Sequence, residues 1–202
     1  GKYYGETTIR QAIKKSMNSV SVKTMSYIGM DSSIEYLSKF GISPLDSDKN
    51  YALSLGALTD GVSVKSIADA YSTFSNQGVF ATSNFIKYIV KDGRKIVDSQ
   101  SETTTRVVKR STCDQINSAL SDTVKDGTAI TLSALDFEVC AKTGTAQRID
   151  AQNGDAWCAS YNDDCTIVVW HGSDDGMSEK GGGFATMQCL KSWQSVSKII
   201  PM

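Results

Sequence analysis

The sequence Lys-Thr-Gly at residues 142–144 constrains this chain more than any other feature. It follows an apolar run at residues 137–140, which predicts a strand that begins near Phe137 and enters the protein interior. Side chains alternate between the two faces of a strand, so Thr143 and Thr145 should share one side, opposite Lys142. Two hydroxyl groups on one side can bind a carboxylate, and the lysine supplies positive charge nearby. Gly144 has no side chain, so a substrate peptide could dock along the strand.

A second motif, Ser16-Met17-Asn18, lies far upstream. The apolar stripe of the helix before it does not continue in phase beyond it, which predicts a bend between two helices. Short polar side chains at such a bend, Ser16 and Asn18, can project into a cleft. Each motif also has an ordinary alternative: Lys142 as a surface residue before a turn, Ser16 as an exposed helical residue, and Asn18 as a helix cap.

The order of predicted elements indicates an α+β protein, with helices early in the chain and antiparallel strands late. Capping residues and apolar stripes predict helices that begin near Thr8, Asn18, Ser32, Ser63 and Thr112, with capping boxes at the first, third and last of these. A hairpin is predicted around Asp92-Gly93, two more strands on either side of residues 162–164, a flexible loop at residues 173–183, and a closing helix that contains Phe184 and Trp193.

Two more patterns accompany the strand: Asp155-Ala156-Trp157 and residues 168–172, Val-Val-Trp-His-Gly. Ser-x-Asn followed well over a hundred residues later by Lys-Thr-Gly forms the last two of three motifs that begin with Ser-x-x-Lys. The chain therefore resembles the transpeptidase domain of a penicillin-binding protein, and resembles the bifunctional glycosyltransferase–transpeptidase type more than the monofunctional type. The resemblance runs from Thr8 to about Trp193.

The resemblance implies a penicillin-binding/β-lactamase-like transpeptidase fold, in which an antiparallel sheet is covered by helices. Residues 1–202 would be the C-terminal part of a single transpeptidase domain that lacks its N-terminal portion. The implied function is that of a peptidoglycan D,D-transpeptidase, which cross-links D-Ala-D-Ala stem peptides through a serine acyl-enzyme. The implied partners are peptidoglycan stem peptides, β-lactams and an upstream segment of the same protein.

The resemblance also assigns roles to the catalytic candidates. Ser16 would relay a proton, Asn18 would bind the substrate amide, and Lys142 would supply positive charge and keep the proton relay poised.

The strand that contains Gly144 would form the substrate-binding site. Thr143 and Thr145 would bind the terminal carboxylate of the stem peptide or of a β-lactam. The backbone N–H of Thr145 would form half of an oxyanion hole.

The nucleophile motif Ser-x-x-Lys does not lie where the resemblance puts it. It should precede Ser16 by many tens of residues, yet only fifteen residues precede Ser16. The one Ser-x-x-Lys in the chain, at residues 195–198, is in the wrong order, and we interpret it as an ordinary helix end. We expect the nucleophile upstream of Gly1 and expect this chain alone to be inactive. The alternatives are a β-lactam-sensing or pseudo-enzyme binding module, and a carboxypeptidase or β-lactamase of the same fold.

Composition restricts the remaining possibilities. A net charge of −1 gives no sign of a nucleic-acid partner or of an anionic membrane surface, and no apolar run reaches membrane-spanning length. The resemblance places the parent protein at the extracytoplasmic face of the bacterial cell membrane, with an anchor that this chain lacks. One histidine and five scattered cysteines do not indicate a metal site, and we expect neither a metal nor another cofactor. The cysteines are interpreted as free thiols, with a Cys158–Cys165 bridge as the alternative.

Overall fold

A computed structural model describes residues 4–98, 104–147, 153–173, 182–200 and 202. The helices are α1 (Ile9–Lys15), α2 (Asn18–Ile28), α3 (Met30–Lys39), α4 (Val64–Ser75), α5 (Arg110–Asp126) and α6 (Gly182–Val196). The strands are β1 (Val79–Ala81), β2 (Tyr88–Lys91), β3 (Arg94–Asp98), β4 (Thr104–Arg106), β5 (Cys140–Gln147), β6 (Asn153–Tyr161) and β7 (Thr166–His171). Short 3-10 helices span Asp46–Asp48, Tyr51–Leu55 and Ile130–Ala134.

A three-stranded antiparallel sheet of order β5-β6-β7 forms the centre of the fold. Helix α6 covers one face, where the indole of Trp193 donates to the Ser160 hydroxyl at 2.7 Å. Helix α4 covers the other face, where the rings of Tyr71 and Tyr161 lie 6.2 Å apart. Adjacent residues of a strand point to opposite faces, so Lys142, paired with Ala159, lies on the α4 face. The predicted α+β class, a sheet covered by helices, is confirmed.

Two of the predicted helix starts are wrong. Thr8 and Ser63 cap α1 and α4 as predicted, because each hydroxyl accepts from the backbone N–H three residues on. Helices α3 and α5 begin two residues before Ser32 and Thr112, with N-caps that provide no side-chain hydrogen bond. The chain bends earlier for α3 because Gly29 adopts a positive φ of 91°.

Helix α5 begins early because the preceding backbone is already anchored. The N–H groups of Val107 and Val108 both donate to the Gly78 carbonyl, at 2.8 and 3.3 Å. The chain is therefore fixed immediately before Lys109, and the helix starts there instead of at the local capping signal.

The late strands follow the prediction with one shift. The hairpin turn at Asp92-Gly93 has both residues at positive φ, as a tight hairpin turn requires. The strand with Lys142 begins at Cys140 and not at Phe137, whose ring instead packs edge-on against Trp193 at 5.6 Å. Most of the predicted loop at residues 173–183 lies outside the described residues, and its last two residues are wrong, because Gly182 and Gly183 belong to α6. Within the described residues, no helix combines the length and the apolar character needed to cross a bilayer.

All five cysteines are free thiols, as predicted. Cys158 lies opposite Val169 in the sheet, whereas Cys165 precedes the first residue of β7. The two sulfur atoms therefore do not face each other across the hairpin, and the alternative bridge is not formed.

The Asp-Ala-Trp and Val-Trp-His-Gly patterns meet across β6 and β7. The indole of Trp170 donates to the Asp155 carboxylate at 2.8 Å and lies 6.1 Å from the ring of Trp157. A Cβ at Gly172 would lie 2.6 Å from the Trp170 ring and closer still to the same carboxylate, so a larger residue would have to displace this pair. The two patterns thus fix the register of the sheet at the end near Thr145.

Candidate active site

Ser16 ends helix α1 at a sharp bend. Its backbone is left-handed, with φ 52° and ψ 54°, and its N–H donates to the Ile13 carbonyl at 3.1 Å. The N–H of Met17 donates to the Ala12 carbonyl at 2.9 Å, which closes the helix end. Helix α2 begins at the next residue, Asn18. The predicted bend between two helices is present, and it projects the Ser16 hydroxyl outward, although the cap of α2 is Met17 and not Asn18.

The Lys142 ammonium joins the two motifs. Its Nζ donates to the Ser16 hydroxyl at 2.8 Å and to the Thr143 carbonyl at 2.6 Å. Two motifs that line one cleft should bring these side chains within hydrogen-bond reach, and the Lys142–Ser16 distance meets this requirement. Lys142 is half-buried, and this burial lowers its pKa below the ordinary lysine value because the charged form loses hydration.

Helix α5 braces both sides of this contact. On one side, the Arg10 guanidinium of α1 donates to the Asp122 carboxylate at 2.8 Å. This hydrogen bond holds the pKa of Asp122 below its usual range. On the other side, the Thr123 hydroxyl donates to the Ala141 carbonyl of β5 at 2.6 Å. The bend and the strand are therefore held by the same helix.

Within the described residues, β5 is an edge strand of the three-stranded sheet, so one of its edges, called here its free edge, pairs with no other strand. The carbonyl groups of Ala141 and Thr143 point to this edge, where they accept from Thr123 and Lys142. In an antiparallel strand the N–H and C=O of one residue point the same way, and the direction alternates along the strand. The backbone N–H of Thr145 therefore also points to the free edge.

Gly144 and the two threonines occupy the predicted positions along β5. A Cβ at Gly144 would lie 3.3 Å from the Cβ of Trp157, so a larger residue would press on the neighbouring strand. Thr145 is exposed, and the Thr143 hydroxyl donates to the Thr128 hydroxyl at 2.8 Å. Thr128 was not predicted from the sequence, where its only signal is that it follows Gly127, the residue that ends α5.

An apolar groove of about 500 Å³ opens beside Ser16 and Lys142. Its apolar lining comes from α1, α2 and α3 and includes Ile9, Ile13, Val20, Met25, Leu37 and Phe40. Asn18 is exposed on the first turn of α2 and is not among the lining residues, and its amide makes no hydrogen bond within the part of the chain that the structure describes. The structure brings Ser16 and Lys142 together and leaves Asn18 open to solvent.

The sequence matches a known family over almost its whole length. The model of the penicillin binding protein transpeptidase domain covers residues 1–192. The chain belongs to this family. The family predicted from Ser-x-Asn, Lys-Thr-Gly and the two later patterns is therefore confirmed.

Curated relatives of this transpeptidase domain are penicillin-binding proteins. Penicillin-binding protein 1F of Bacillus subtilis is 35% identical over 86% of the chain, which spans 24% of that protein. Penicillin-binding protein 1A of Neisseria cinerea is 30% identical over 96% of the chain, again 24% of that protein. The chain thus spans about a quarter of the length of these relatives.

Solved structures share the fold of this transpeptidase domain. PonA1 of Mycobacterium tuberculosis in complex with penicillin V has a TM-score of 0.85 at 22% identity, over 98% of this chain and 58% of that one. The D,D-transpeptidase domain of a peptidoglycan glycosyltransferase from Eggerthella lenta has a TM-score of 0.78 at 20% identity, over 98% of this chain and 55% of that one.

Proposed function

We propose that this transpeptidase domain belongs to a D,D-transpeptidase that cross-links peptidoglycan stem peptides ending in D-Ala-D-Ala, through a serine acyl-enzyme. The observation that carries the proposal is the 2.8 Å contact between the Lys142 ammonium and the Ser16 hydroxyl, beside the free edge of β5. A lysine held against a hydroxyl at the edge of a groove is a suitable proton relay, because the hydroxyl can pass a proton while the charge stays in place.

The proposed first step is attack of a serine hydroxyl on the carbonyl carbon of the penultimate D-Ala. The lysine of the Ser-x-x-Lys segment takes the proton of that hydroxyl, and Ser16 relays a proton to the leaving amine of the terminal D-Ala as its C–N bond breaks. Lys142 stabilises the charge on the relay. The outward N–H of Thr145 donates to the developing oxyanion, which no longer has to be solvated by water. An amine of a second stem peptide then attacks the acyl-enzyme, and the same relay removes its proton.

The proposed carboxylate site lies on the side of β5 that bears the Thr143 and Thr145 side chains, called here its threonine side. Thr143 and Thr145 present hydroxyl donors on one face of the strand, next to backbone N–H groups that point to the free edge. Gly144 between them keeps the strand open to an extended peptide. A β-lactam carboxylate would bind the same donors, and penicillin V in the related PonA1 structure supports this ligand class. Asn18 would turn toward the substrate amide when the peptide is bound.

We place the nucleophile in a Ser-x-x-Lys segment upstream of Gly1, in a longer parent protein. A helix with an apolar stripe would fill the groove between α1, α2 and α3 and would bring its serine beside Ser16. Several side chains around this groove are apolar and exposed, including Ile9 at 56% and Ile28 at 52%. Solved relatives that extend well beyond the matched region support a longer domain. The parent protein would be membrane-anchored and act outside the cytoplasm.

A fluorescent penicillin tests the proposed function. We expect the parent protein to be labelled covalently and residues 1–202 alone to remain unlabelled, because the acylated serine lies upstream. Mass spectrometry of the labelled peptide should map it to a Ser-x-x-Lys segment before Gly1. Labelling at Ser16 or at Ser195 would contradict this assignment. A protein that is acylated but never transfers the acyl group to an amine would instead be the sensor or the hydrolase.

Two substitutions of Ser16 separate the strain of its left-handed backbone from the chemical role of its hydroxyl. Both Ser16→Ala and Ser16→Gly remove the hydroxyl relay, so each should slow acylation of the parent protein roughly 100-fold or more. Glycine adopts the left-handed backbone at φ 52° without steric cost, whereas alanine is strained there, so the glycine variant should be more stable than the alanine variant by about 0.5–1 kcal/mol. Thermal unfolding and acylation kinetics give the two numbers. Ser19→Ala, an exposed serine of α2, is the control, and equal stability of the two Ser16 variants would contradict the strain.

A further inference from the structure

The hydroxyl of Thr128 lies against the candidate carboxylate site. It is 2.8 Å from the hydroxyl of Thr143, and Thr128 is itself exposed to solvent. The residue belongs to neither of the two sequence motifs. Its contact with Thr143 gives that side chain a fixed neighbour on the threonine side of β5.

Thr128 is held rigidly because both of its neighbours are anchored. The N–H groups of Gly127 and Ala129 both donate to the Thr123 carbonyl, at 3.1 and 2.9 Å, and Ala129 is fully buried. Thr123 in turn donates its hydroxyl to the Ala141 carbonyl of β5. The position of Thr128 relative to the strand is thus set by α5.

The same turn also touches the other side of the site. A Cβ at Gly127 would lie 2.8 Å from the Lys14 carbonyl, two residues before Ser16. The turn at residues 127–128 therefore contacts both the end of α1 and the strand that contains Lys142 and Thr143.

We propose that Thr128 is a positioning residue that aims the Thr143 hydroxyl at the carboxylate of the substrate; the inference rests on the proposed function. A hydroxyl has one hydrogen and two lone pairs. When a carboxylate binds, Thr143 gives its hydrogen to the carboxylate and accepts the hydrogen of Thr128. Hydrogen bonds in such a chain polarise one another, so Thr143 becomes a better donor. Thr128 thereby favours substrates and inhibitors with a free carboxylate.

The test compares a penicillin with its methyl ester on the parent protein. Thr128→Val keeps the shape of the side chain and removes the hydroxyl. For the penicillin we expect the dissociation constant of the precovalent complex to rise roughly 5- to 20-fold, the size of one lost hydrogen bond, with the limiting acylation rate unchanged. For the methyl ester, which has no carboxylate charge, we expect a change of less than about twofold. Thr128→Ser should restore wild-type selectivity, and Thr128→Ala serves if valine is not accommodated.

Thr105→Val, an exposed threonine of the separate β1–β4 sheet, is the matched control and should change neither constant. An equal loss for the penicillin and its ester would overturn the inference, because it would indicate structural support without a role toward the carboxylate. Wild-type constants in Thr128→Val would overturn it as well. A wild-type parent protein that is not acylated at all would overturn the proposed function, and the inference with it.

Discussion

Replacing Lys142 with methionine should lower the acylation rate of the parent protein by penicillin roughly 1000-fold, the middle of the range for loss of a positioned acid–base group. Methionine has a similar length but neither charge nor donor, so Ser16 loses its 2.8 Å partner and the relay has no cation to stabilise it. Stopped-flow acylation with a chromogenic β-lactam measures the rate. A decrease of less than tenfold would contradict the assignment of Lys142 to the reaction.

The same substitution should not destabilise the fold. Burial disfavours the charged lysine and lowers its pKa in the folded protein, whereas the unfolded chain keeps the ordinary value of 10.5. Between these two pKa values the unfolded state binds more protons, so the stability of the wild-type protein rises with pH across this window. Lys142→Met removes this rise and should be at least as stable as the wild type at neutral pH. Lys191→Met, an exposed lysine of α6, should change neither the rate nor the pH profile.

The contact between Ser16 and Lys142 was predictable because both residues belong to motifs with a known mutual geometry. The α+β class followed from local periodicity, and Thr8 and Ser63 cap their helices through local hydrogen bonds. These features depend on residues close together in the sequence, or on a recognised pair of motifs. The sequence therefore predicted the contact between the two motifs better than it predicted the surroundings of that contact.

The features that were missed depend on contacts between distant segments. Helix α5 begins before its capping box because the backbone of residues 107–108 is anchored to Gly78. Thr128 has no local signal, since its partner Thr143 lies on a strand that follows a separate 3-10 helix. The local sequence predicts that Phe137 belongs to a strand, but its ring packs against Trp193, which lies near the end of the chain. Tertiary packing overrides local propensity in each of these cases.

Trp193 supports the strand that contains Lys142 from the opposite face of the sheet, and its removal should cause a large loss of stability. Its side chain is fully buried, packs edge-on against Phe137, and donates to the Ser160 hydroxyl at 2.7 Å. Trp193→Ala leaves a cavity against the sheet and removes the donor, which should cost about 3–5 kcal/mol of unfolding free energy.

Trp193→Phe retains most of the side-chain volume and should lose clearly less unfolding free energy than Trp193→Ala. Met187→Ala, at a half-exposed position of the same helix, is the control and should lose under about 1 kcal/mol. Thermal and denaturant unfolding of the parent protein measure these differences. Trp193 contacts Ser160, which pairs with Ala141 and not with either substrate-binding threonine, and Lys142 lies on the α4 face of the sheet. Trp193→Ala protein that remains folded at low temperature should therefore be acylated at a rate near that of the wild type. A loss of unfolding free energy below about 1 kcal/mol for Trp193→Ala would contradict the role of α6 in supporting the sheet. Slow acylation of the folded variant would show that this support is not independent of the site.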